Sequence, residues 1–137
     1  MKFRMWHRIV PAALILVMVL SSPITACSGN SNTPSPPPTT NSDGSITYYL
    51  KADKMKFDND RMTVPASTKV TIVFTNAEGI LHNFALYTER FASDPIFRGQ
   101  LISKTTIEYT FTTPSEPGTY SFRCDLHPVM YGEFIVN

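Results

Sequence analysis

Residues 106–112 read TIEYTFT and set the pattern of the folded part of the chain. Ile107, Tyr109 and Phe111 alternate here with threonine and glutamate, so one face of the segment is apolar and the other is polar. Strict alternation of this kind predicts a β-strand with one buried face. The segment therefore predicts a sheet that packs on one side only.

The same period of two recurs along the rest of the chain. Further strands are predicted at 46–50 (ITYYL), 69–75 (KVTIVFT), 120–124 (YSFRC) and 133–136 (EFIV), with turn residues at 76–79, 114–118 and 127–128. Residues 88–100 hold at most a short helical turn, and no other stretch has a convincing helical period. Several short strands in one small domain predict an all-β sandwich or small barrel.

The first 26 residues have the organisation of an export signal. Three basic residues precede an apolar run at 9–20, which is shorter than the roughly 20 residues that a membrane-spanning helix needs. The run ends at Ile24-Thr25-Ala26-Cys27, which resembles the bacterial lipobox and implies cleavage before Cys27 and attachment of a lipid to its sulfur. Cleavage after Ala26 without a lipid, or an uncleaved anchor, are the alternatives.

The lipid-bearing cysteine and a linker make up residues 27–45. The linker carries a single charged residue, Asp43, and no large apolar side chain, so we expect it to be disordered, with the prolines at 36–38 stiffening it. Residues 46–137 form the single predicted domain. The chain is thus predicted to be a bacterial lipoprotein that works outside the cytoplasm, at a periplasmic or outer cell surface.

Composition excludes several classes of protein. The formal net charge of the 137-residue chain is +1, which argues against a basic surface for nucleic acid. Only two cysteines are present, so a disulfide-rich scaffold and a multi-cysteine zinc or iron–sulfur site are both excluded. We expect a monomer.

One short segment carries residues that suit a metal. Residues 124–130 read CDLHPVM and place Cys124, His127 and Met130 three positions apart. A thiolate, an imidazole and a weak axial thioether, completed by a second histidine, are the ligands of blue-copper electron-transfer sites. His82, which is followed by Asn83, is the only other histidine after the signal peptide.

Each of these residues has an ordinary structural interpretation when it is taken alone. Cys124 suits a small buried position, or a disulfide with Cys27, and Met130 suits core packing, as we expect for Met55 and Met62. His127 before a proline suits an exposed turn, and His82 suits a surface position or a hydrogen-bonded core. The joint spacing in an exported all-β domain favours the metal site.

The domain as a whole resembles the cupredoxins of the plastocyanin/azurin-like group, and its ligand loop is similar to the short loop of the amicyanins. The resemblance rests on His82-Asn83, on residues 118–124 (GTYSFRC), on His127-Pro128 with Met130, and on Gly132. It implies an eight-stranded Greek-key sandwich that binds one copper ion. His82, Cys124 and His127 would form the ligand plane and Met130 the axial contact, while Asn83 would join the two ligand loops and restrain the Cys124 sulfur.

The resemblance also implies the function. A site with three close ligands and a weak fourth leaves no open position for substrate, so we expect no enzyme but a carrier that passes single electrons between redox proteins. In the family the histidine that corresponds to His127 reaches the surface within an apolar patch. Leu81, Leu126, Pro128 and Val129 are the candidates for this patch here. The alternative is a lipoprotein that binds or delivers copper without electron transfer. Catalytic copper enzymes need further histidines, and a structural adhesion domain would require the ligand pattern to be accidental.

Overall fold

The computed structural model describes residues 34–137. The predicted signal peptide, Cys27 and the first part of the linker lie outside the described residues. Within 34–137 the chain forms strands, turns and loops and no helix, so this part contains no helix long and apolar enough to cross a membrane. The prediction of an all-β fold is confirmed.

The strands form two sheets. Their bounds are β1 Thr39–Thr40, β2 Ile46–Asp53, β3 Lys56–Phe57, β4 Arg61–Val64, β5 Lys69–Asn76, β6 Ala85–Tyr87, β7 Pro95–Arg98, β8 Thr105–Thr112, β9 Gly118–Arg123 and β10 Tyr131–Val136. The first sheet has the order β1-β2-β5-β8, with β3 also paired to β2, and the second has the order β4-β10-β9-β6-β7. Two pairs, β2–β5 and β4–β10, are parallel, while the other pairs are antiparallel. The chain passes from one sheet to the other several times, for example between β3 and β4, as is expected in a Greek-key sandwich.

The core lies between the two sheets and follows the alternation of the strands. Ile72 and Phe74 of β5 are fully buried and face Phe122 of β9 and Phe134 of β10, which are also fully buried. The ring of Phe84 stacks on Phe122 with the centroids 5.3 Å apart. Burying each of these side chains contributes about 1.5–3 kcal/mol, and together they hold the sheets face to face.

The sheet begins earlier than the composition predicted. Thr39 and Thr40 belong to the segment expected to be disordered, yet they form β1 and pair with Thr47 and Ile46 of β2. Both threonines are exposed, so the pairing depends on backbone hydrogen bonds, which the side-chain composition does not report. The prolines at 36–38 precede this edge strand and have no amide to donate, which is typical of sheet edges.

A second difference lies in the region for which at most a helical turn was expected. Residues Pro95–Arg98 form β7, which pairs with β6 at the edge of the second sheet. Ile96 and Arg98 of this strand are exposed, because an edge strand has one unpaired side and little cover. An edge strand of four residues has too short a pattern for reliable prediction.

Candidate metal centre

The first ligand loop leaves the end of β5 and returns through His82. The side chain of Asn76 spans this loop and donates from Nδ2 to the carbonyls of Ile80 and Ile102, both at 2.7 Å. His82 forms two backbone hydrogen bonds with Ile102, at 3.0 and 2.9 Å. These four bonds fix the position of His82, which is completely buried.

The second ligand loop connects β9 to β10 at the same end of the sandwich. The amide of Cys124 donates to the carbonyl of Met130 at 2.9 Å, and the amide of Met130 donates to the carbonyl of His127 at 2.8 Å. The His127 amide donates to the Cys124 carbonyl at 3.3 Å. The loop is therefore a compact turn closed by its own backbone, with Cys124 and Met130 buried and His127 partly exposed.

Three potential ligand atoms meet where the two loops face each other. Nδ1 of His82 lies 3.5 Å from Sγ of Cys124 and 3.2 Å from Nδ1 of His127, and the remaining pair, Sγ to Nδ1 of His127, is 3.6 Å apart. Ligands at about 2.0–2.3 Å from a shared ion in a plane would stand roughly 3.5–3.8 Å apart. The observed separations fit a single metal ion among the three side chains, and both histidines present the same ring nitrogen, Nδ1, to it.

The ring of His82 is oriented by an acidic neighbour. Its other nitrogen, Nε2, lies 3.5 Å from Oε2 of Glu78, and both groups are largely buried. A proton on Nε2 facing this carboxylate leaves the lone pair of Nδ1 directed at the cluster, which is the usual arrangement behind a metal-binding histidine. Burial lowers the pKa of His82 below its ordinary value, although Glu78 opposes this shift. The net lowering of the pKa favours the neutral ring, which keeps a nitrogen lone pair available at neutral pH.

Asn83 connects the two ligand loops. Its Oδ1 accepts a hydrogen bond from the amide of Asp125 at 2.9 Å, and its Nδ2 donates to Oδ2 of Asp125 at 2.9 Å and to the carbonyl of Gly99 at 3.0 Å. The residue that follows His82 is thus bound to the residue that follows Cys124. Its predicted restraint on the Cys124 sulfur stays a prediction.

Sequence reasoning missed the charged partners of this link. Asp125 also accepts a hydrogen bond from the hydroxyl of Tyr87 and forms an ion pair with Arg98, whose Nε lies 3.1 Å from Oδ2. Tyr87 and Arg98 come from β6 and β7, the neighbouring strands of the second sheet. No local sequence pattern connects Tyr87 or Arg98 with Asp125, because they are far apart in the chain. The acidic Asp125 directly after Cys124 was the one feature of this link that the sequence made visible.

Both ligand loops carry exposed apolar residues. The predicted patch residues Leu81, Leu126 and Val129 are 47, 52 and 72% exposed, and Pro128 is exposed as well. Ile80, which the sequence interpretation did not include, is 44% exposed beside Leu81. We call these five residues, Ile80, Leu81, Leu126, Pro128 and Val129, the apolar face. They flank both ligand loops, and the partly exposed His127 lies between Leu126 and Pro128 in the chain.

The fold and the site together define a class of protein. Two histidine nitrogens, a cysteine sulfur and the nearby Met130, placed by two loops at one end of a Greek-key sandwich, form the arrangement of a type 1 copper site. The soft sulfur and borderline nitrogen donors suit copper, so the prediction of one copper ion as cofactor is confirmed.

Comparison with known proteins agrees with this class. The family described as a cupredoxin-like domain matches residues 12–136, and the chain belongs to that family. Amicyanin of Paracoccus versutus is 32% identical over 84 residues, a match that spans 61% of this chain and 60% of that protein. Amicyanin-alpha of Methylorubrum extorquens is 31% identical over 87 residues, covering 64% of this chain and 69% of the relative.

Solved structures support the same family. Auracyanin A of Chloroflexus aurantiacus, which is described as a "blue" copper protein, is 27% identical and superposes with a TM-score of 0.60. The match covers 69% of this chain and 100% of auracyanin A. The cupredoxin resemblance inferred from His82-Asn83 and the 124–130 loop is therefore confirmed.

Proposed function

We propose that this protein is an electron carrier, anchored to a bacterial membrane on its extracytoplasmic side, that passes single electrons between redox proteins. His82, Cys124 and His127 would be the close ligands of its copper ion and Met130 the weak axial ligand. The observation that carries the proposal is the convergence of the two Nδ1 atoms and Sγ at 3.2–3.6 Å in a buried site.

The protein contributes rigidity at this site. Copper supplies a one-electron couple when it is bound there. The backbone bonds within the 124–130 loop and the Asn76 and Asn83 links hold the four side chains in one arrangement whatever the charge at their centre. Because His82, Cys124 and Met130 are buried, water is kept from the site and little has to reorganise when an electron arrives.

Two features of the surroundings favour a carrier over an enzyme. The ligand set leaves no position for substrate once four side chains are committed to it. The apolar face would bring a partner close to His127, the one ligand side chain of the four that is partly exposed. Electrons would then enter and leave through the His127 imidazole, and Asn83 would support the Cys124 loop during exchange.

The anchoring part of the proposal rests on the sequence. The lipobox at residues 24–27 supports a lipid on Cys27, and the apolar run before it supports export. The exported location also suits a carrier that meets redox proteins at the membrane.

A visible spectrum with and without ascorbate tests the function. We expect the copper-loaded chain to show an intense thiolate-to-copper band that bleaches with ascorbate and returns on oxidation. Cys124→Ser should abolish the band. Met130→Leu should shift it and raise the reduction potential, whereas Met62→Leu, at a fully buried core position, serves as the matched control and should leave both unchanged. A chain that binds copper without the band would favour copper delivery instead.

A further inference from the structure

The direction of β1 shows at which end of the domain the described chain begins. Thr39 pairs with Thr47 and Thr40 with Ile46 in antiparallel register, so the chain runs opposite to β2. The last pair of β2 and β5 joins Ala52 to Asn76, from which the loop to His82 departs. Followed backwards from Thr40, the chain therefore rises along β2 toward the metal end.

Ser35 holds the start of this segment in place. Its amide and its hydroxyl donate to Oδ2 of Asp58 at 2.9 and 2.5 Å. Oδ1 of the same carboxylate accepts the amide of Lys51 at 2.7 Å, and the Asp58 amide donates to the Lys51 carbonyl at 2.9 Å. Ser35 is thus fixed at the level of Lys51, one residue before the last pair of β2 and β5.

We propose that the N-terminal anchor holds the metal end of the domain toward the membrane, and that the apolar face docks on a redox protein embedded in the same membrane. This inference rests on the proposed function and on lipidation of Cys27. It adds an orientation and a class of partner, which neither the ligand set nor the family resemblance specifies.

The length of the chain limits where the membrane can be. Six residues, 28–33, separate Cys27 from Pro34, so the lipid-bearing residue lies at most about 25 Å from the described domain. Ser35 lies at the level of Lys51, and from there β2 descends five residues, or about 17 Å, to Ile46 at the opposite end. A flexible chain of this length has an r.m.s. span of about 15 Å, so an orientation with the opposite end on the membrane requires the tether to stretch well beyond its average length.

The short reach of the tether also favours a membrane protein over a freely diffusing protein as the redox partner. A small globular domain is about 30 Å across, so a freely diffusing protein does not fit easily between the metal end and the bilayer. A membrane protein that exposes its redox centre near the bilayer surface does fit. The apolar face, formed around His127, offers such a protein a contact that excludes water.

Fluorescence distances on the intact lipoprotein test the orientation. The full-length copper-loaded chain is reconstituted in vesicles of phosphatidylcholine and phosphatidylglycerol that contain a headgroup acceptor dye. A donor dye is attached through Val129→Cys at the metal end or through Ser115→Cys in the exposed turn at the other end. We expect energy transfer several-fold stronger from position 129, and an insertion of about twenty glycine and serine residues after Asn32 should remove the difference. Equal or reversed transfer would overturn the orientation.

Two further measurements test the partner. A lipid with a ferrocene headgroup stands in for a redox centre at the bilayer surface, and we expect it to exchange electrons with the native tether at least tenfold faster than with the lengthened tether. Soluble ferrocene carboxylate should react equally with both. Equal rates with the lipid probe would contradict the proposal. In a second measurement, lipids that carry a nitroxide are added to the vesicles. Quenching of the dye at position 129 by these lipids would also contradict the proposal, because the bilayer itself would then cover the apolar face.

Failure of this inference can be told apart from failure of the function. Mass spectrometry that finds no lipid on Cys27 would overturn the membrane-facing orientation. The ascorbate-sensitive blue band, recorded on the same samples, reports on the carrier function independently.

Discussion

Asn83 and Asp125, which are 42 residues apart, bind each other through two hydrogen bonds. The Asp125 amide donates to Oδ1 of Asn83, and Nδ2 of Asn83 donates to Oδ2 of Asp125, both at 2.9 Å. Because these residues directly follow His82 and Cys124, the pair sets the spacing of the two ligand loops. The Asp125 carboxylate also brings a negative charge next to the site, which Arg98 balances at 3.1 Å.

This charge pair predicts opposite effects of two substitutions on the reduction potential. Asp125→Asn removes a negative charge that stabilises oxidised copper, so the potential should rise. Arg98→Gln exposes that charge, so the potential should fall. The rise for Asp125→Asn should be about 1 kcal/mol, or roughly 40 mV, at the effective dielectric of a partly buried site. The fall for Arg98→Gln should be smaller, because the Arg98 side chain is 57% exposed and its charge is screened by solvent.

Redox titration of the blue band measures both variants. A change of the same sign in the two would show that loosening of the loop, and not charge, dominates. Arg61→Gln is a suitable control, because Arg61 forms its ion pair with Glu133, between strands β4 and β10.

A charge on the apolar face should slow electron exchange between molecules. Val129 is 72% exposed, so Val129→Lys should leave the ligand loop folded and the visible spectrum unchanged. Two molecules that meet through this face would then bring like charges together, and the self-exchange rate should fall about tenfold or more. Line broadening in NMR spectra of mixed oxidised and reduced protein measures this rate. Ile96→Lys, on the edge strand β7, is the control, and an unchanged rate for Val129→Lys would mean that exchange occurs elsewhere.

The sequence was sufficient for the parts of the fold that alternate clearly. The five predicted strands correspond to β2, β5, β8, β9 and β10, which supply most of the core. It was insufficient for β1, because Thr39 and Thr40 pair through backbone atoms alone and bury no side chain. It also missed β4, where Met62 and Val64 face inward, because an alternation over only four residues is too short to be recognised.

The ligands were predictable for a different reason. Cys124, His127 and Met130 are close in sequence, and their chemistry together is unusual, so one short segment suggested the site. The links from Asp125 to Tyr87 and Arg98 depend on three strands meeting in space, and no spacing rule indicates them.

Close approach of two strands explains why position 132 is glycine. A Cβ at Gly132 would lie 2.3 Å from Cζ of Phe122 and 2.6 Å from the carbonyl oxygen of Asp60. Gly132→Ala should therefore lower the free energy of unfolding by about 1–3 kcal/mol, since a buried ring and backbone must both shift. Urea unfolding of the metal-free protein measures the loss. Gly118→Ala is the matched control in the same strand pair, since its nearest new contact is 3.7 Å; a loss equal to that of Gly132→Ala would contradict the steric explanation.

Tyr109 makes the stability of the domain sensitive to alkaline pH. Its ring is buried and its hydroxyl donates to the carbonyl of Gln100 at 2.5 Å. Burial raises the pKa of Tyr109 well above its usual value of 10. The unfolded chain therefore loses this proton first, so the contribution of Tyr109 to stability is complete below pH 10 and declines as the pH rises above it.

Substitution of this tyrosine separates its hydrogen bond from its titration. Tyr109→Phe should cost about 1 kcal/mol at pH 7, where only the bond to Gln100 is lost. Between pH 10 and 11.5 the difference from the native protein should shrink, because the variant has no phenol at position 109 to ionise on unfolding. Urea midpoints measured across this range test the sign. A difference that stays constant or grows with pH would mean that the ionisation of Tyr109 is not linked to unfolding.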